Sequence, residues 1–156
     1  MEKNITITSN FWGRYRNLVR TEMIPYQWDV LNDIAKITIE RERNDSSIPN
    51  EKSHAIENFK IAAGRSKGTH YGWTFQDSDV YKWLEAVAYS LREKMDPELE
   101  KKALEVIDLI AEAQEPDGYL DTFYSILGLE HRYKRLAGSH ELYCMGHFIE
   151  AAVAYY

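Results

Sequence analysis

The chain has 156 residues, a length that suits one domain with a sizeable core. Its 19 Lys and Arg against 25 Asp and Glu leave a formal net charge of -6 without any basic block, which argues against nucleic acid and anionic membranes as partners. No stretch is apolar for long enough to be a signal peptide or a membrane span, so the sequence predicts a soluble, cytoplasmic protein.

The N-terminal region is predicted to begin with a short strand and to continue as a helix. Residues 4–8 (NITIT) alternate isoleucine with polar residues, which is typical of a strand, so residues 1–10 form an N-terminal strand or extension. From Phe11 the apolar spacing becomes helical, and Pro25 is expected to break or restart that helix. The charged, turn-rich segment 40–53 is predicted to be a surface loop.

Two amphipathic helices form the clearest part of the pattern. From Asp79, apolar residues recur at helical spacing, and this helix is predicted to end near Met95. A second helix opens at Asp96 and Pro97, with proline in its first turn and acidic residues close behind, and runs to about residue 114. The predicted buried stripes are Val80, Trp83, Leu84, Val87 and Leu91 in the first helix, and Leu99, Ala103, Val106, Ile107 and Ile110 in the second.

A last helix is predicted to start at Ser139 or His140, after a turn at 115–122 and a loop. It is apolar nearly all round, which is typical of a helix surrounded by protein. Its segment HFIEAAVA resembles KWLEAVAY of the first amphipathic helix, with Glu150 falling on Glu85. The order of buried, outer and buried helix is that of a toroid or solenoid of helical hairpins. A chain that ends at AAVAYY is therefore expected to leave an apolar surface uncovered, unless another chain or more of the same chain packs on it.

The candidate functional residues lie at helix starts and in one turn. Gln76, Asp77 and Asp79 precede or open a helix, where a hairpin array presents residues to a central cavity. The alternative is that the acids cap the helix and favour its dipole, and this explanation is preferred for Asp79. Tyr119, in the turn EPDGYLDT, either belongs to a helix-ending turn or lines a sugar site. The two acids are not expected to form a catalytic pair, because the carboxyl groups of a glycosidase flank the bond, roughly 5 to 9 Å apart.

His140, Cys144 and His147 share one side of the last helix and raise the question of a zinc site. Three ligands from one helix span two turns, about 10 Å, which is too far for one tetrahedral ion with bonds near 2 Å. A pair such as His140 and Cys144 could ligate, but further ligands are not evident. No metal site is therefore predicted in the chain, and His140 is predicted to be a hydrogen-bonding residue at the helix start that faces a cavity.

Three runs carry a family resemblance, namely FQDSDVYKWLEAVAYSL, DPELEKKALEVIDLIAEAQEPDGYLDT and SHELYCMGHFIEAAVAYY, together with FW near the N-terminus and IPYQW. They resemble, in the same order, the beginning of the bacterial β-L-arabinofuranosidase family, glycoside hydrolase family 127. The resemblance implies an all-α fold in which residues 11–156 form the first helical hairpins of an (α/α)6 barrel catalytic domain, truncated at the C-terminus. Family enzymes are several times longer and carry β-sandwich regions after the barrel.

The resemblance also implies a reaction. Family members are retaining exo-enzymes that release L-arabinofuranose from β-L-arabinofuranosides, using a cysteine thiolate held on zinc and a glutamate as acid/base. The zinc-binding cysteines lie later in the family sequence, so zinc is expected in the full-length enzyme and not in this chain, and Cys144 does not inherit the nucleophile's role. His140 of SHELY matches a histidine that contacts the sugar. Gln76, Asp77 and Tyr119 lie in matching motifs and are carried as further substrate-binding candidates.

Three hypotheses follow for the chain. The first is an N-terminal part of such a hydrolase, inactive alone because nucleophile, acid/base and zinc ligands are missing. The second is a stand-alone helical module that binds sugar or self-associates through its apolar C-terminal helix. The third is a different (α/α)6 glycosidase, since one fold hosts several chemistries.

Overall fold

The computed structural model describes residues 7–37 and 47–156, and every regular element in these ranges is helical. The all-α prediction is confirmed for this part of the chain. The elements are α1 (Asn10–Leu18), a π turn (Val19–Met23), α2 (Ile24–Leu31), α3 (Ala55–Ala62), α4 (Asp77–Glu93), α5 (Pro97–Ala113), α6 (Thr122–Leu127), a 3-10 turn (Leu129–His131), α7 (Leu136–Ser139) and α8 (Glu141–Tyr155). Most of the strand predicted at 4–8 lies outside the described residues, and residues 7 and 8 are not in regular structure.

One helical segment, widened by a π turn, runs from Asn10 to Leu31. Pro25 lies in the first turn of α2, and the backbone stays right-handed helical through Met23 and Ile24. The proline therefore does not break the helix, and α2 follows the π turn without a gap. In an uninterrupted α-helix the proline ring would clash with the carbonyl four residues earlier, and the π turn directly before α2 relieves that clash. Of the loop predicted at 40–53, residues 47–53 are described and contain no helix or strand.

Helix α4 is the centre of the packing and contacts α2, α3, α5 and α8. All five residues of its predicted stripe are buried, and the helix starts two residues earlier than the predicted Asp79. Trp83 packs its ring 4.8 Å from that of Trp28 and donates its indole N–H to the Ile24 carbonyl at 3.2 Å. This tryptophan therefore fixes the N-terminal helical segment onto α4.

Helix α5 begins as its sequence predicts. The Asp96 carboxylate accepts hydrogen bonds from the backbone N–H groups of Glu98 and Leu99, and Pro97 occupies the first turn. Its predicted stripe faces α3 and α4, while its other face is exposed to solvent. Ala103, Val106 and Ile110 of that stripe are buried, and Leu99 and Ile107 are half-buried.

Helix α8 packs along α4, so the two segments that resemble each other in sequence are neighbours in space. Its buried side includes Cys144, Ala151 and Ala154. Leu142, Ile149 and Val153 have exposed fractions of 62%, 54% and 71%. The expected uncovered apolar surface is present, and the described residues do not surround the helix. None of the helices in residues 7–37 and 47–156 has the length and apolarity that a membrane crossing requires.

The prediction of a loop before the last helix is wrong in part, because α6, the 3-10 turn and α7 lie in that segment. The Asp121 carboxylate caps α6 by accepting from the N–H groups of Phe123 and Tyr124 at 3.1 and 3.4 Å. Gly128, with φ 141°, ends the helix. Helix α3 was not predicted either. These elements are short, and their stability depends on tertiary contacts that local patterns do not reveal.

Candidate functional site

Helices α4 and α8 pack along each other, and their first turns lie side by side, since Lys82 of α4 donates to the Tyr143 hydroxyl of α8. The Phe75 ring, just before α4, lies 5.0 Å from the imidazole of His140, just before α8. We call residues 73–82 and 139–147 the helix-start surface. It brings together residues that are far apart in the sequence, and it includes four of the five candidates, Gln76, Asp77, Asp79 and His140.

His140 occupies the N-cap position of α8 with φ 60°, in the left-handed region that non-glycine residues seldom adopt. Its ring lies between Phe75 and Tyr143, with centroid distances of 5.0 and 6.0 Å. Its Nδ1 lies 3.2 Å from the Gly138 carbonyl oxygen. In the neutral tautomer that donates from Nδ1, the Nε2 lone pair can accept a hydrogen bond from a ligand hydroxyl.

Gln76 is buried with its amide bound to the protein, and its exposed fraction is 3%. Its Oε1 accepts from the Trp73 N–H at 3.2 Å, and its Nε2 donates to Asp79 Oδ2 at 3.2 Å and lies 3.5 Å from Ser53 Oγ. A Cβ at Gly72, where φ is 93°, would come within 2.6 Å of Gln76 Oε1. The amide thus shapes the tight turn that leads into α4.

Asp77 is the first residue of α4, with an exposed fraction of 1%. Its Oδ2 accepts from the Thr122 N–H at 2.7 Å and its Oδ1 from the Thr122 hydroxyl at 2.6 Å. Burial raises the pKa of Asp77, against the lowering effect of these two bonds. Burial and then the Asp77 charge raise the pKa of Asp121. Asp77 therefore links α4 to α6 and does not act as an N-cap.

Tyr119 has an exposed fraction of 4%, and its hydroxyl donates to Glu141 Oε1 at 2.6 Å. Burial, followed by this bond, raises the pKa of the phenol. The turn around Tyr119 is closed locally, since the Tyr119 N–H donates to Asp117 Oδ1 at 3.1 Å. The tyrosine is thus part of the turn, and its hydroxyl joins that turn to the first residue of α8.

Cys144 lies deep between α8 and α4, with an exposed fraction of 0%. Burial, and next the Asp77 carboxylate, raise the pKa of the thiol well above its usual range, so the sulfur is protonated at neutral pH. His147 places Nδ1 at 2.9 Å from Glu150 Oε2. Across residues 7–37 and 47–156, no three His, Cys, Asp or Glu side chains are arranged to hold a metal ion.

Four further residues of the helix-start surface were not predicted. Trp73 and Phe75 stack with centroids 5.4 Å apart and an interplanar angle of 20°, which extends the row of rings that begins at Tyr143 and His140. Lys82 Nζ donates to the Tyr143 hydroxyl at 2.7 Å. The aromatic run WTF directly before a helix start was the available signal, whereas the contact between Lys82 and Tyr143 joins two distant segments.

A cavity of about 410 Å³ lies apart from this surface, between the end of α2 and residues 54–71. Asp33 and His54 line it, both with φ 59°, and His54 Nδ1 lies 2.5 Å from Asp33 Oδ2. His70 also lines it, and burial lowers the pKa of His70 to about 4, so this imidazole is neutral. None of the predicted site residues borders this cavity.

Comparison with known proteins places these features in one family. The family described as "Beta-L-arabinofuranosidase, GH127 catalytic domain" matches residues 4–156. The non-reducing end β-L-arabinofuranosidase of Bifidobacterium longum subsp. longum is 48% identical over 157 residues, which cover 98% of this chain and 24% of that protein.

Two solved structures are also similar. A β-L-arabinofuranosidase from Geobacillus stearothermophilus T6 is 56% identical with a TM-score of 0.86, over 98% of this chain and 22% of that one. A β-arabinofuranosidase of the same family is 32% identical with a TM-score of 0.74, over 97% of this chain and 22% of that one. The chain thus spans about a quarter of the length of these relatives.

Proposed function

Because the chain belongs to the β-L-arabinofuranosidase family, glycoside hydrolase family 127, we propose that it is the N-terminal part of an enzyme that releases L-arabinofuranose from β-L-arabinofuranosides. The observation that carries this proposal is the family match over residues 4–156. The substrate is taken from the relatives, whose names state β-L-arabinofuranosidase activity.

We further propose that residues 11–156 are the first hairpins of an (α/α)6 barrel. The packing is consistent with that architecture. Helices α4 and α8, which resemble each other in sequence, lie next to each other, and α5 packs on α4 with a solvent-exposed outer face. In this arrangement α4 and α8 are inner helices and α5 is an outer helix. The exposed side of α8 would then face the next hairpin of the barrel.

The residues of this chain serve substrate binding in our proposal, and His140 makes the direct contact. Its ring lies in the row of aromatic side chains, and its Nε2 is not engaged in any hydrogen bond to the described residues. Stacked rings beside a hydrogen-bonding imidazole suit a sugar, which has apolar faces and hydroxyl groups. The polar groups of Gln76, Asp77 and Tyr119 are bound to protein partners. In our proposal these residues therefore stabilise the backbone around the site and do not contact the sugar.

The retaining, zinc-thiolate chemistry of the family requires groups that the described residues do not supply. Cys144 does not fit a zinc-bound thiolate, because burial and the nearby Asp77 carboxylate favour its neutral thiol. His140 and His147 lie almost two turns apart on the helix that carries Cys144, and the described residues contain no group of three side chains that could hold a metal ion. We therefore assign nucleophile, acid/base and zinc ligands to segments outside this chain.

An activity assay tests the proposal. The full-length protein that contains this chain should hydrolyse an aryl β-L-arabinofuranoside, and the isolated chain should not. In the full-length protein, His140→Ala should lower kcat/KM by about 10- to 100-fold, because one hydrogen bond to the sugar is lost. His131→Ala is the matched control, since His131 is exposed on the 3-10 turn. Zinc-dependent turnover by the isolated chain, or no effect of His140→Ala, would contradict the proposal.

The exposed apolar side of α8 favours a second candidate function, self-association of the chain as a helical module. Leu142, Ile149 and Val153 are more than half exposed, which is unusual for three apolar residues on one helix. Size-exclusion chromatography with light scattering should then give one sharp oligomer, and Val153→Lys should convert it to monomer. Leu104→Lys, at an exposed leucine of α5, is the control. Heterogeneous association that Val153→Lys does not change would speak against a defined module.

A further inference from the structure

We propose that Glu141, together with Tyr119, is a positioning residue that holds the backbone of His140 in its left-handed conformation and so aims the imidazole at the sugar. This inference rests on the proposed function in which His140 contacts the substrate. It assigns to Glu141 a role that its position at the start of a helix does not reveal.

The Glu141 carboxylate is buried, with an exposed fraction of 4%, and both of its oxygens are occupied. Oε1 accepts from the Tyr119 hydroxyl at 2.6 Å and from the Tyr133 N–H at 2.9 Å. Oε2 accepts from the same N–H at 3.1 Å and from the Ser139 hydroxyl at 2.8 Å. With its lone pairs directed at protein donors, the carboxylate does not reach a ligand, so any effect on catalysis must pass through a neighbour.

The donors come from three segments that converge on Glu141, the residue that follows His140. Tyr119 belongs to the turn after α5, Tyr133 lies between the 3-10 turn and α7, and Ser139 directly precedes His140. Tyr133 and His140 have φ values of 62° and 60°, and both are non-glycine residues in the left-handed region. Such a conformation carries a steric cost and persists where surrounding contacts enforce it. The carboxylate supplies those contacts on both sides of the 133–140 segment.

The position of the imidazole follows from this backbone. The turn at His140 lets Nδ1 approach the Gly138 carbonyl and places the ring against Phe75. If the carboxylate is lost, the Tyr119 and Ser139 hydroxyls become buried donors without an acceptor, and the part-buried Tyr133 N–H loses its partner. The segment would then relax toward an ordinary backbone conformation, and the imidazole would leave its place beside Phe75.

Glu141→Gln is the informative variant because it keeps size and shape. The Tyr133 N–H bonds to both carboxylate oxygens, so the amide nitrogen of glutamine faces that donor whichever way the amide is placed. Tyr119→Phe is the milder variant, since it removes one donor and keeps the buried ring. Glu105→Gln, on the exposed face of α5, is the matched control.

The experiment is a double-mutant cycle on the full-length protein with an aryl β-L-arabinofuranoside. Glu141→Gln should lower kcat/KM about 100-fold, as expected for a displaced binding group, and Tyr119→Phe about 5-fold, as expected for one hydrogen bond. Both effects should fall to less than about 2-fold in a His140→Ala background, because the residues act through His140. Glu105→Gln should leave kcat/KM unchanged. Equal losses in both backgrounds would show a general structural role and overturn the proposal.

Crystal structures of the full-length protein separate this inference from the proposed function. The proposed function would be rejected if the wild-type protein were inactive or if His140→Ala left kcat/KM unchanged. In either case the structure of Glu141→Gln would still test whether Glu141 positions His140. Departure of His140 from positive φ, with its ring leaving Phe75, would support the inference. Retention of φ near 60° with the ring in place would overturn it.

Discussion

The hydrogen bond from the Thr122 hydroxyl to Asp77 yields a prediction with a defined pH dependence. Thr122→Val removes the hydroxyl and keeps the shape of the side chain, while the Thr122 N–H still donates to Asp77 at 2.7 Å. The lost bond, at 2.6 Å, joins two fully buried groups. A hydrogen bond to a charged acceptor contributes about 1.5 to 3 kcal/mol, and one to a neutral acceptor about 0.5 to 1.5 kcal/mol.

The protonation state of Asp77 determines which of these values applies. Burial raises the pKa of Asp77 to about 6, from an ordinary value near 4. A carboxyl group whose pKa is raised in the folded state makes its full contribution to stability below its unfolded-state pKa. This contribution is lost as the pH rises through the folded-state pKa. Thr122→Val removes a bond that stabilises the charged form, so it raises this pKa further. We therefore expect a loss of about 1 kcal/mol at pH 4.5 and about 2 kcal/mol at pH 8.

Urea unfolding of the purified chain, followed by circular dichroism at both pH values, measures this difference. Thr69→Val, at an exposed threonine, is the control and should change the free energy of unfolding by less than about 0.5 kcal/mol. A loss that is equal at the two pH values would refute the reasoning, because the hydroxyl would then not distinguish the charged from the neutral carboxyl.

Three further predictions concern capping, buried charge and the thiol. Asp121→Asn should raise the urea midpoint at pH 8 but not at pH 4.5, because burial and Asp77 raise the pKa of Asp121 and asparagine still caps α6; a lower midpoint at pH 8 would contradict this. Asp96→Ala should reduce the free energy of unfolding by about 1 kcal/mol through loss of the α5 cap, and an unchanged urea midpoint would argue against capping. Cys144 should resist iodoacetamide at pH 8 until urea is added, as measured by mass spectrometry, since its thiol is buried and its pKa is raised; rapid alkylation of the folded chain would disprove this.

The parts of the fold that the sequence predicted are those with local causes. The stripe of α4 and the Asp96 cap of α5 depend on residues within a few turns of each other, and both are confirmed. Helix α6 had a local signal, the capping Asp121, but it is short, and Asp77 on α4 holds its first residue. The extent of such an element depends on a contact between residues 45 positions apart, which periodicity does not report.

In the candidate site too, features with local causes were predicted and features that depend on distant contacts were not. His140 was placed at the start of the last helix from local pattern, and the structure has it at the N-cap. The bond between Tyr119 and Glu141 joins residues 22 positions apart, so a local pattern does not predict it. The left-handed φ of His140 was not predicted either, because a histidine in the sequence does not by itself indicate a positive φ. Asp77 likewise binds a residue of another segment, Thr122. Gln76 binds the nearby Trp73 and Asp79 and lies 3.5 Å from the more distant Ser53. The sequence pattern therefore did not distinguish burial of these two side chains from exposure to a cavity.

The π turn at Val19–Met23 has a geometric consequence for the N-terminal helix. Each helical residue turns the chain by about 100°, so one extra residue within a turn rotates all that precedes it relative to all that follows. Ile24 and Leu31 after the turn enter the core, whereas Phe11, Trp12 and Tyr15 before it remain 44% to 58% exposed. Deleting one residue from the turn would swing these three rings around the helix axis by roughly that angle. The π turn thus determines which surface of the molecule carries its N-terminal aromatic cluster.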